Sequence, residues 1–445
     1  MKNSFNSHAD ETAYLPDWPE PAYNPMLSAL NITDDKATFF SRCEVRKDKR
    51  YSFANAPIKE RKRVALDEMF LPNELSWRLY CLVTDMMYRG YNYADHNISD
   101  SAQQKQVNLS AFNPAKAKGV LKLTERDKGV GAAVIAESGL GKTTTMDKVL
   151  GAIPQTHRHK ASESYYNREF IQVSWVKVKF HGLSLKAAVR NIIEKIDDLT
   201  DDNLARELTD NLSVTTHIDK LKLHCAKYNV GMIVLDECQI MVSYKKNGEL
   251  TTASKGKADF LQQIVNEIPI PFLLIGTPIF EPYLAQSSFL YRRFVEESAM
   301  VKELYSVDDP FWTDLVRVYF ESYVLPKSGS LSSADLATIH EHSVGNISLL
   351  KILVSRALGC LSMAESDKKI SMSGLIEMAY LDGQNEIENM KTLLLGDSKN
   401  NAVKAKVKKQ KNSPSSNVVG KQKSAVEQAG EQAAQESYDA LQSLL

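Results

Sequence analysis

The sequence lacks three features that would place it in a specialised class: a net charge, a closely spaced cysteine pair and a long hydrophobic run. Its 55 basic and 55 acidic residues cancel, so any nucleic-acid binding must come from local basic clusters. The five cysteines are scattered without a C-x-x-C pair, which excludes the usual zinc and disulfide frameworks and favours a reducing compartment. No segment approaches the ~18 apolar residues of a membrane span, and the N-terminus has no apolar signal segment. We therefore expect a soluble, cytoplasmic protein.

What the sequence has instead is length and alternation. Of its 445 residues 43% are apolar, enough for two or three domains. Residues 1–110 have the composition of a polar arm and a small helical prefix. Residues 111–310 alternate β-branched runs with helical stretches, which predicts an α/β core with a parallel sheet between helices. Helical periodicity follows over 311–396, and residues 397–445 form a lysine-rich tail that we expect to be disordered, with a short terminal helix.

The segment "VIAESGLGKTTTM" resembles a phosphate-binding loop whose first glycine is replaced by alanine. It follows an apolar run and precedes a helical one, the context in which this pattern binds nucleotide. Lys142 would reach the phosphate oxygens and the Thr143 hydroxyl would bind Mg²⁺, while alanine at the first position needs only a strand-end backbone. The residues predicted to contact ATP are Ala136, Glu137, Ser138, Gly139, Leu140, Gly141, Lys142, Thr143 and Thr144.

A second strand, in "MIVLDECQ", delivers two carboxylates at its end. The carboxyl ends of parallel strands lie at one edge of a sheet, so Asp236 and Glu237 are expected beside the phosphate loop. Asp236 would hold Mg²⁺, and Glu237 would activate the attacking water. Without the loop, an Asp-Glu pair would more often be a solvated turn.

The run "PFLLIGTP" ends in Thr277, and the doublet Arg292–Arg293 follows about fifteen residues later. Thr277 is predicted to sense the γ-phosphate, although a threonine before proline also caps helices. The two arginines fit the role of a finger that stabilises transition-state charge on a nucleotide held by a neighbouring subunit, although adjacent arginines are commonly only solvated. Which of the two acts is left open, and either implies an oligomer.

In this order, the loop, the Asp-Glu strand, the polar sensor, the arginines and a helical lid are typical of AAA+ ATPases. Such lids often carry an arginine that reaches the nucleotide, whereas "GNISLLKIL" offers Gly345, Asn346 and Ser348. Within this class the chain resembles the TnsC family of Tn-seven-type transposition regulators over about residues 23–395. The resemblance rests on "YNPMLSAL", "MMYRGY", "SGLGKTTTMDKVL", "VLDECQ", "IPIPFLLIGTP", "RRF" and "GNISLLKIL".

The resemblance implies an ATP-dependent regulator in the bacterial cytoplasm. Members of the family form rings or filaments on duplex DNA and link a target-selection protein of the TniQ or TnsD type, sometimes attached to a CRISPR complex, to transposase subunits of the TnsA and TnsB type. The N-terminal region would then face the target selector, and the C-terminal tail the transposase. ATP hydrolysis would serve as an assembly switch.

DNA contacts would come from loops facing a pore, where repetition in every protomer offsets the zero net charge. Each cluster also fits a solvated surface, and the alternation in "WVKVKF" favours that interpretation for Lys177. The residues predicted to contact DNA are Lys179, His181, Lys186, Lys245, Lys246, Lys255 and Lys257.

Two alternatives share the nucleotide motifs. An initiator-like or clamp-loader-like AAA+ ATPase would be expected to carry a winged-helix or collar domain after the lid, for which residues 397–445 look too short and too polar. A phosphotransferase would carry a lid arginine rather than an arginine pair that acts on a neighbour.

Overall fold

The computed structural model describes residues 25–45, 69–93, 130–160, 169–180, 185–246, 249–268, 270–296, 300–320, 331–363 and 371–411. The helices are α1 (Pro25–Ser28), α2 (Lys36–Cys43), α3 (Glu74–Tyr93), α4 (Lys142–Gly151), α5 (Leu185–Thr200), α6 (Val214–Lys227), α7 (Thr252–Glu267), α8 (Phe280–Leu284), α9 (Ser288–Tyr291), α10 (Pro310–Tyr319), α11 (Ser333–Ser343), α12 (Ile347–Met363) and α13 (Met372–Lys411). The strands are β1 (Gly131–Ala136), β2 (Thr156–His159), β3 (Phe170–Val173), β4 (Val176–Lys179), β5 (Ile233–Asp236), β6 (Phe272–Gly276) and β7 (Met300–Lys302).

The predicted parallel sheet is confirmed. Five strands pair in the order β4-β5-β6-β1-β7, and every pairing between neighbours is parallel. The three central strands are almost wholly buried, which explains why they are continuous apolar runs rather than alternating ones. The carboxyl ends of β1, β5 and β6 therefore share one edge of the sheet.

Successive residues of β1 face opposite sides of the sheet and take part in two hydrophobic cores. Ala133 and Ile135 pack with residues of α5, α6 and α7. Ala132 and Val134 pack with the other core, which includes Trp77 of α3 and other residues of α1 to α4. The described helices of the N-terminal prefix thus share a core with the sheet.

Three strands were not expected from the sequence: β2, β7 and a second strand in the run "FIQVSWVKVKF". That run forms both β3 and β4, which belong to different sheets, and β2 pairs antiparallel with β3 in a separate two-stranded sheet. β7 adds to β1 at the opposite edge from β4. The sequence "THRH" of β2 and the three residues of β7 carry too little apolar alternation to indicate strands.

The C-terminal tail differs from its prediction near its start. The chain divides into two compact units, Met1–Lys391 and Thr392–Leu445, and α13 continues to Lys411. Residues 397–411 are therefore helical, where we expected disorder. The reason is composition: "AVKAKVKKQK" contains five lysines and two alanines, which favour helix, and neither glycine nor proline. The predicted terminal helix lies outside the described residues.

Within the described ranges, no single helix has the length and apolar character of a membrane span. One bent pair, Ser333–Ser343 with Ile347–Leu361, passes that test on length and composition alone.

Candidate nucleotide site

The loop between β1 and α4 has the backbone of a phosphate cradle. Gly139 and Gly141 adopt φ values of 81° and 79°, in the left-handed region where a side chain is strained. Gly141 precedes the first residue of α4, so the loop leads directly into a helix N-terminus, which attracts anions. Ala136 is the last residue of β1 and is buried, and its φ is not positive, so its methyl group is accommodated there as expected.

Lys142 lies over the same loop. Its ammonium donates to the main-chain oxygens of Ala136 and Glu137, at 2.7 and 2.9 Å. Burial lowers the pKa of Lys142, and the carboxylates of Glu237, Asp236 and Glu137 oppose that shift. Lys142 of the loop therefore interacts electrostatically with Asp236 and Glu237, the two carboxylates predicted at the end of β5.

Asp236 sits at the buried end of β5, with 2% of its surface exposed. The Thr143 hydroxyl donates to its Oδ2 at 3.1 Å, and the Glu237 amide donates to its Oδ1 at 2.9 Å. Hydroxyl and carboxylate oxygens are the ligands that Mg²⁺ prefers, usually together with phosphate oxygens and water. Thr143 and Asp236 thus fit Mg²⁺ in the way that the sequence predicted, and the structure brings them together.

Lys177 belongs to this cluster, which the sequence did not indicate. Its ammonium lies 2.6 Å from Asp147 Oδ1 and 3.2 Å from Asp236 Oδ2, and only 13% of its side chain is exposed. The sequence pattern favours a solvated strand residue, but the position on β4 turns this lysine towards the nucleotide edge. No motif links a strand lysine to an aspartate 59 positions later, so only the pairing of β4 with β5 shows this contact.

Glu237 directly follows β5 in a strained conformation. Its φ and ψ are 61° and 34°, a left-handed geometry that typically costs about 1–3 kcal/mol for a residue other than glycine. The Gln239 amide donates to the Glu237 carboxylate, while the buried Oε1 of Gln239 accepts no hydrogen bond from the described part of the chain. Gln239 thus restrains the predicted general base. The sequence motif contained this glutamine without assigning it a role.

Thr277 follows β6, the strand between β5 and β1. Its main-chain oxygen accepts from the Phe280 amide at 2.9 Å. Helix α8 begins at Phe280 with Ile279 as its N-cap residue and without a side-chain cap, so the helix-cap alternative for Thr277 is wrong. The position at the shared edge of the sheet is that of the predicted sensor, whose role stays a prediction.

The two arginines, adjacent in sequence, have different surroundings. Both lie in a π-helical turn, Arg292–Glu296, which directly follows α9. Arg293 is partly buried: it donates to Asn266 Oδ1 at 3.2 Å, stacks over the Phe289 ring at 5.2 Å, and has a pKa lowered by burial. Arg292 is exposed, and its guanidinium makes no hydrogen bond or ion pair within the described residues. Of the two, Arg292 has its charge available to another molecule.

The lysines predicted to contact DNA are dispersed. Lys179 ends β4 and is exposed, and Lys186 donates to the Asp210 main-chain oxygen at 2.5 Å. Lys245 lies 3.7 Å from Glu249, and Lys257 donates to the Ile240 oxygen at 3.4 Å. Two others, Lys246 and Lys255, are exposed. His181 lies outside the described residues. Their contact with DNA stays a prediction.

The remaining loop residues differ in exposure. Leu140 is buried, and Thr144 is exposed on the first turn of α4. The Ser138 and Gly139 main-chain oxygens accept hydrogen bonds from Asn346 and Ser348, at the start of α12. The lid segment without an arginine therefore touches the phosphate loop directly.

Known proteins match the part of the chain that carries the site. Residues 126–284 match a family model described as an AAA domain, a range that includes the loop, the Asp-Glu pair and Thr277 and ends before Arg292. Similar solved structures include the Aeropyrum pernix ORC1 protein in complex with DNA, at 13% identity and a TM-score of 0.36, covering 64% of this chain and 65% of that one. Drosophila ORC bound to DNA is similar at 12% identity and 0.36, covering 78% and 72%.

The E. coli MS115-1 HORMA:CdnC:Trip13 complex is similar at 10% identity and a TM-score of 0.36, covering 73% of this chain and 93% of that one. No curated protein matches the sequence. The fold predicted from the motifs is confirmed: it is that of an AAA+ domain, a class whose members in general are nucleotide-hydrolysing, Mg²⁺-dependent ATPases, and residues 126–284 carry its AAA match.

Proposed function

We propose that this protein is an ATP-dependent regulator of DNA transposition of the TnsC type. The observation that carries the proposal is that one set of charged residues is clustered within the chain while an arginine is exposed. Lys142, Thr143, Asp236 and Glu237 are held together at one edge of the sheet, whereas Arg292 is exposed without a partner among the described residues. This arrangement supports an ATPase that is completed by a second subunit. The transposition role is supported by the sequence motifs, from "YNPMLSAL" to "GNISLLKIL".

The chain's own residues would perform hydrolysis as follows. Loop amides and Lys142 bind the phosphates, and Thr143 with Asp236 would hold Mg²⁺, which neutralises phosphate charge when bound. Glu237 accepts a proton from the attacking water, and Gln239 keeps its carboxylate in place. Thr277 orients the terminal phosphate, and Arg292 acts on the nucleotide of the neighbouring protomer.

The proposed assembly forms on duplex DNA. One or two lysines from each protomer of a ring or filament would neutralise many phosphates, so affinity would fall steeply with salt. Such contacts carry no sequence information, so target choice would belong to a partner protein. We propose a TniQ or TnsD type of target selector on the N-terminal region, and TnsA and TnsB types of transposase subunits on the C-terminal tail, in the bacterial cytoplasm.

Electron microscopy of the full chain with duplex DNA and a non-hydrolysable ATP analogue tests the proposal. We expect rings or filaments threaded by DNA, and none for Lys142→Ala, which loses its ammonium over the loop. Lys148→Ala, on the same helix, is the matched control and should assemble normally. Isolated monomers in every condition, or phosphate transfer to a small metabolite, would overturn the proposal. DNA-bound assemblies that load only at an origin-like sequence would favour an initiator-like or clamp-loader-like ATPase instead.

A further inference from the structure

The start of α12 is joined to the phosphate loop by three hydrogen bonds that cross more than two hundred residues of sequence. Asn346 Nδ2 donates to the Ser138 main-chain oxygen at 2.8 Å. The Ser348 amide donates to the Gly139 oxygen at 3.0 Å, and its hydroxyl donates to the same oxygen at 3.3 Å. Two consecutive carbonyl groups of the loop are therefore held by the lid.

The Asn346 side chain bonds both to the start of α12 and to the phosphate loop. Its Oδ1 accepts from the amides of Ser348 and Leu349, at 3.0 and 3.2 Å, and so satisfies the first free donors of α12. Its Nδ2 is thereby turned outwards to the loop. The side chain is fully buried, which makes an unsatisfied group here costly.

The contact leaves little room for a side chain at Gly139. A Cβ atom on this glycine would lie 2.5 Å from Asn346 Oδ1 and 3.0 Å from Ser348 Oγ. The loop glycine thus serves close approach to the lid as well as its own positive φ.

The lid side of the contact is equally constrained. Val344 and Gly345 are both left-handed, with φ of 46° and 71°, and they bend α11 and α12 by 115°. A Cβ on Gly345 would lie 1.9 Å from the Tyr305 oxygen, and that oxygen also contacts His340 Nε2 at 2.9 Å. The turn that presents Asn346 is therefore fixed by packing rather than by the loop.

The consequence follows from peptide geometry. In a trans peptide the N–H points opposite to the C=O of the same plane. When Asn346 holds the Ser138 carbonyl, the Gly139 N–H is turned away from the lid, and Ser348 does the same for the Leu140 N–H through the Gly139 carbonyl. These two amides belong to the loop that cradles phosphate.

We infer that Asn346 and Ser348 are positioning residues that orient the phosphate-binding amides of the loop, and so couple nucleotide binding to the lid without an arginine in the segment that touches the loop. This inference rests on the proposed nucleotide site. The lid would then respond to the conformation of the loop's backbone and not directly to the charge of the nucleotide. Displacing the lid would free both peptides to rotate and would weaken nucleotide binding.

The test compares Asn346→Ser and Ser348→Ala with Ser332→Ala. Serine retains the capping oxygen of Asn346 but removes the donor to Ser138. Ser332 caps the neighbouring helix α11 in a capping box with Asp335, and its side-chain hydrogen bonds within the described residues are to Asp335, so it controls for a loosened lid. The measurements are the melting temperature, the dissociation constants of fluorescent ATP and ADP analogues, and amide hydrogen exchange at residues 345–350 with and without nucleotide.

We expect Asn346→Ser to weaken nucleotide binding about fivefold to tenfold, the effect of removing one hydrogen bond. Ser348→Ala removes the hydroxyl bond to the Gly139 oxygen but keeps the amide bond at 3.0 Å, so its loss should be smaller, about threefold. The double variant should lose less nucleotide affinity than the product of the two single losses, since both side chains act on adjacent peptides. Nucleotide should slow exchange at the start of α12 in the wild type and not in Asn346→Ser. Ser332→Ala should melt earlier yet bind nucleotide within about twofold of wild type.

Two results would overturn the inference. Asn346→Ser and Ser348→Ala that bind like wild type would show that the lid does not position the loop, and an equal loss in Ser332→Ala would show that the role is merely structural. A wild-type protein that binds no nucleotide would instead overturn the proposed function itself.

Discussion

The phosphate loop and the arginine turn present opposite arrangements of polar groups. Around the loop, Lys142, Thr143 and Asp236 each have a partner within the chain, and burial makes those contacts strong. In the arginine turn, Arg293 is bound to its own chain, whereas Arg292 is exposed. In the proposed function, the groups around the loop act on the nucleotide bound by the same chain, and the exposed Arg292 acts on the nucleotide of a neighbour.

The largest expected effect separates the two arginines. Arg292→Ala should reduce the ATPase rate of the assembled protein about thousandfold, because a trans arginine stabilises charge only in the transition state. Nucleotide affinity and melting temperature should stay at wild-type values. Steady-state ATPase assays on DNA, with calorimetry, measure both.

Arg293→Ala is the matched control. It should cost about 1 kcal/mol of folding stability, because the variant can no longer bind Asn266 or stack on Phe289, and leave turnover nearly intact. The reverse pattern would assign the finger to Arg293. Wild-type turnover in both variants would remove the pair from catalysis.

Within the loop region, Glu237→Gln should bind ATP and assemble on DNA but hydrolyse ATP at least about a hundredfold more slowly, since the amide cannot accept the proton. Phosphate release by the DNA-bound protein measures the rate. Glu194→Gln, exposed on α5 beside Arg190, should have no effect. Hydrolysis by Glu237→Gln at the wild-type rate would take Glu237 out of its assigned role.

Lys177→Met should have a smaller effect, and it should increase the affinity for Mg²⁺ rather than reduce a function. The lysine ammonium competes for Asp236 Oδ2, so its removal should lower the Mg²⁺ concentration needed for half-maximal nucleotide binding about threefold to tenfold. The melting temperature without Mg²⁺ should fall, because Asp236 loses a partner. Lys179→Met, two residues along the same strand, is the control. An unchanged Mg²⁺ requirement would mean that Lys177 is only a structural partner of Asp147.

The smallest effects are expected on the dispersed lysines. Lys245→Gln and Lys246→Gln should each weaken DNA binding a few-fold and make its salt dependence shallower, by about one in the log–log slope for each phosphate that the variant no longer neutralises. Lys195→Gln, exposed on α5 beside Asp198, should change neither quantity. An unchanged salt slope in both test variants would place the DNA-binding residues elsewhere.

The sequence predicted the parts of the site whose chemistry is local. The loop from Ala136 to Thr143 and the pair Asp236–Glu237 carry their signals within a few residues, and strand ends in parallel sheets meet by topology. Lys177 could not be predicted, because its partners Asp236 and Asp147 lie on β5 and α4, which only the folded structure brings next to β4. Nor could the contact of Asn346 with Ser138, since the group expected in an AAA+ lid is an arginine, and a neutral amide that binds backbone leaves no motif.

The same limit applies to the fold. Apolar strands such as β1, β5 and β6 are indicated by composition, whereas β2 and β7 are short or polar and depend on their neighbours for pairing. Conversely, the sequence did not predict that α13 continues past residue 397, because a run of lysines is typical of a disordered tail. Lysine and alanine also favour helix, however, and here the chain is helical.

The ends of the sheet carry a consequence for how copies of the protein can associate. β4 and β7, at its two edges, are only four and three residues long, and β4 ends in the exposed Lys179. Short edge strands with lysines discourage another chain from adding a strand by backbone hydrogen bonds. In the proposed assembly, copies of this chain would therefore join through reversible contacts between side-chain surfaces rather than by extending the sheet, which leads to aggregation.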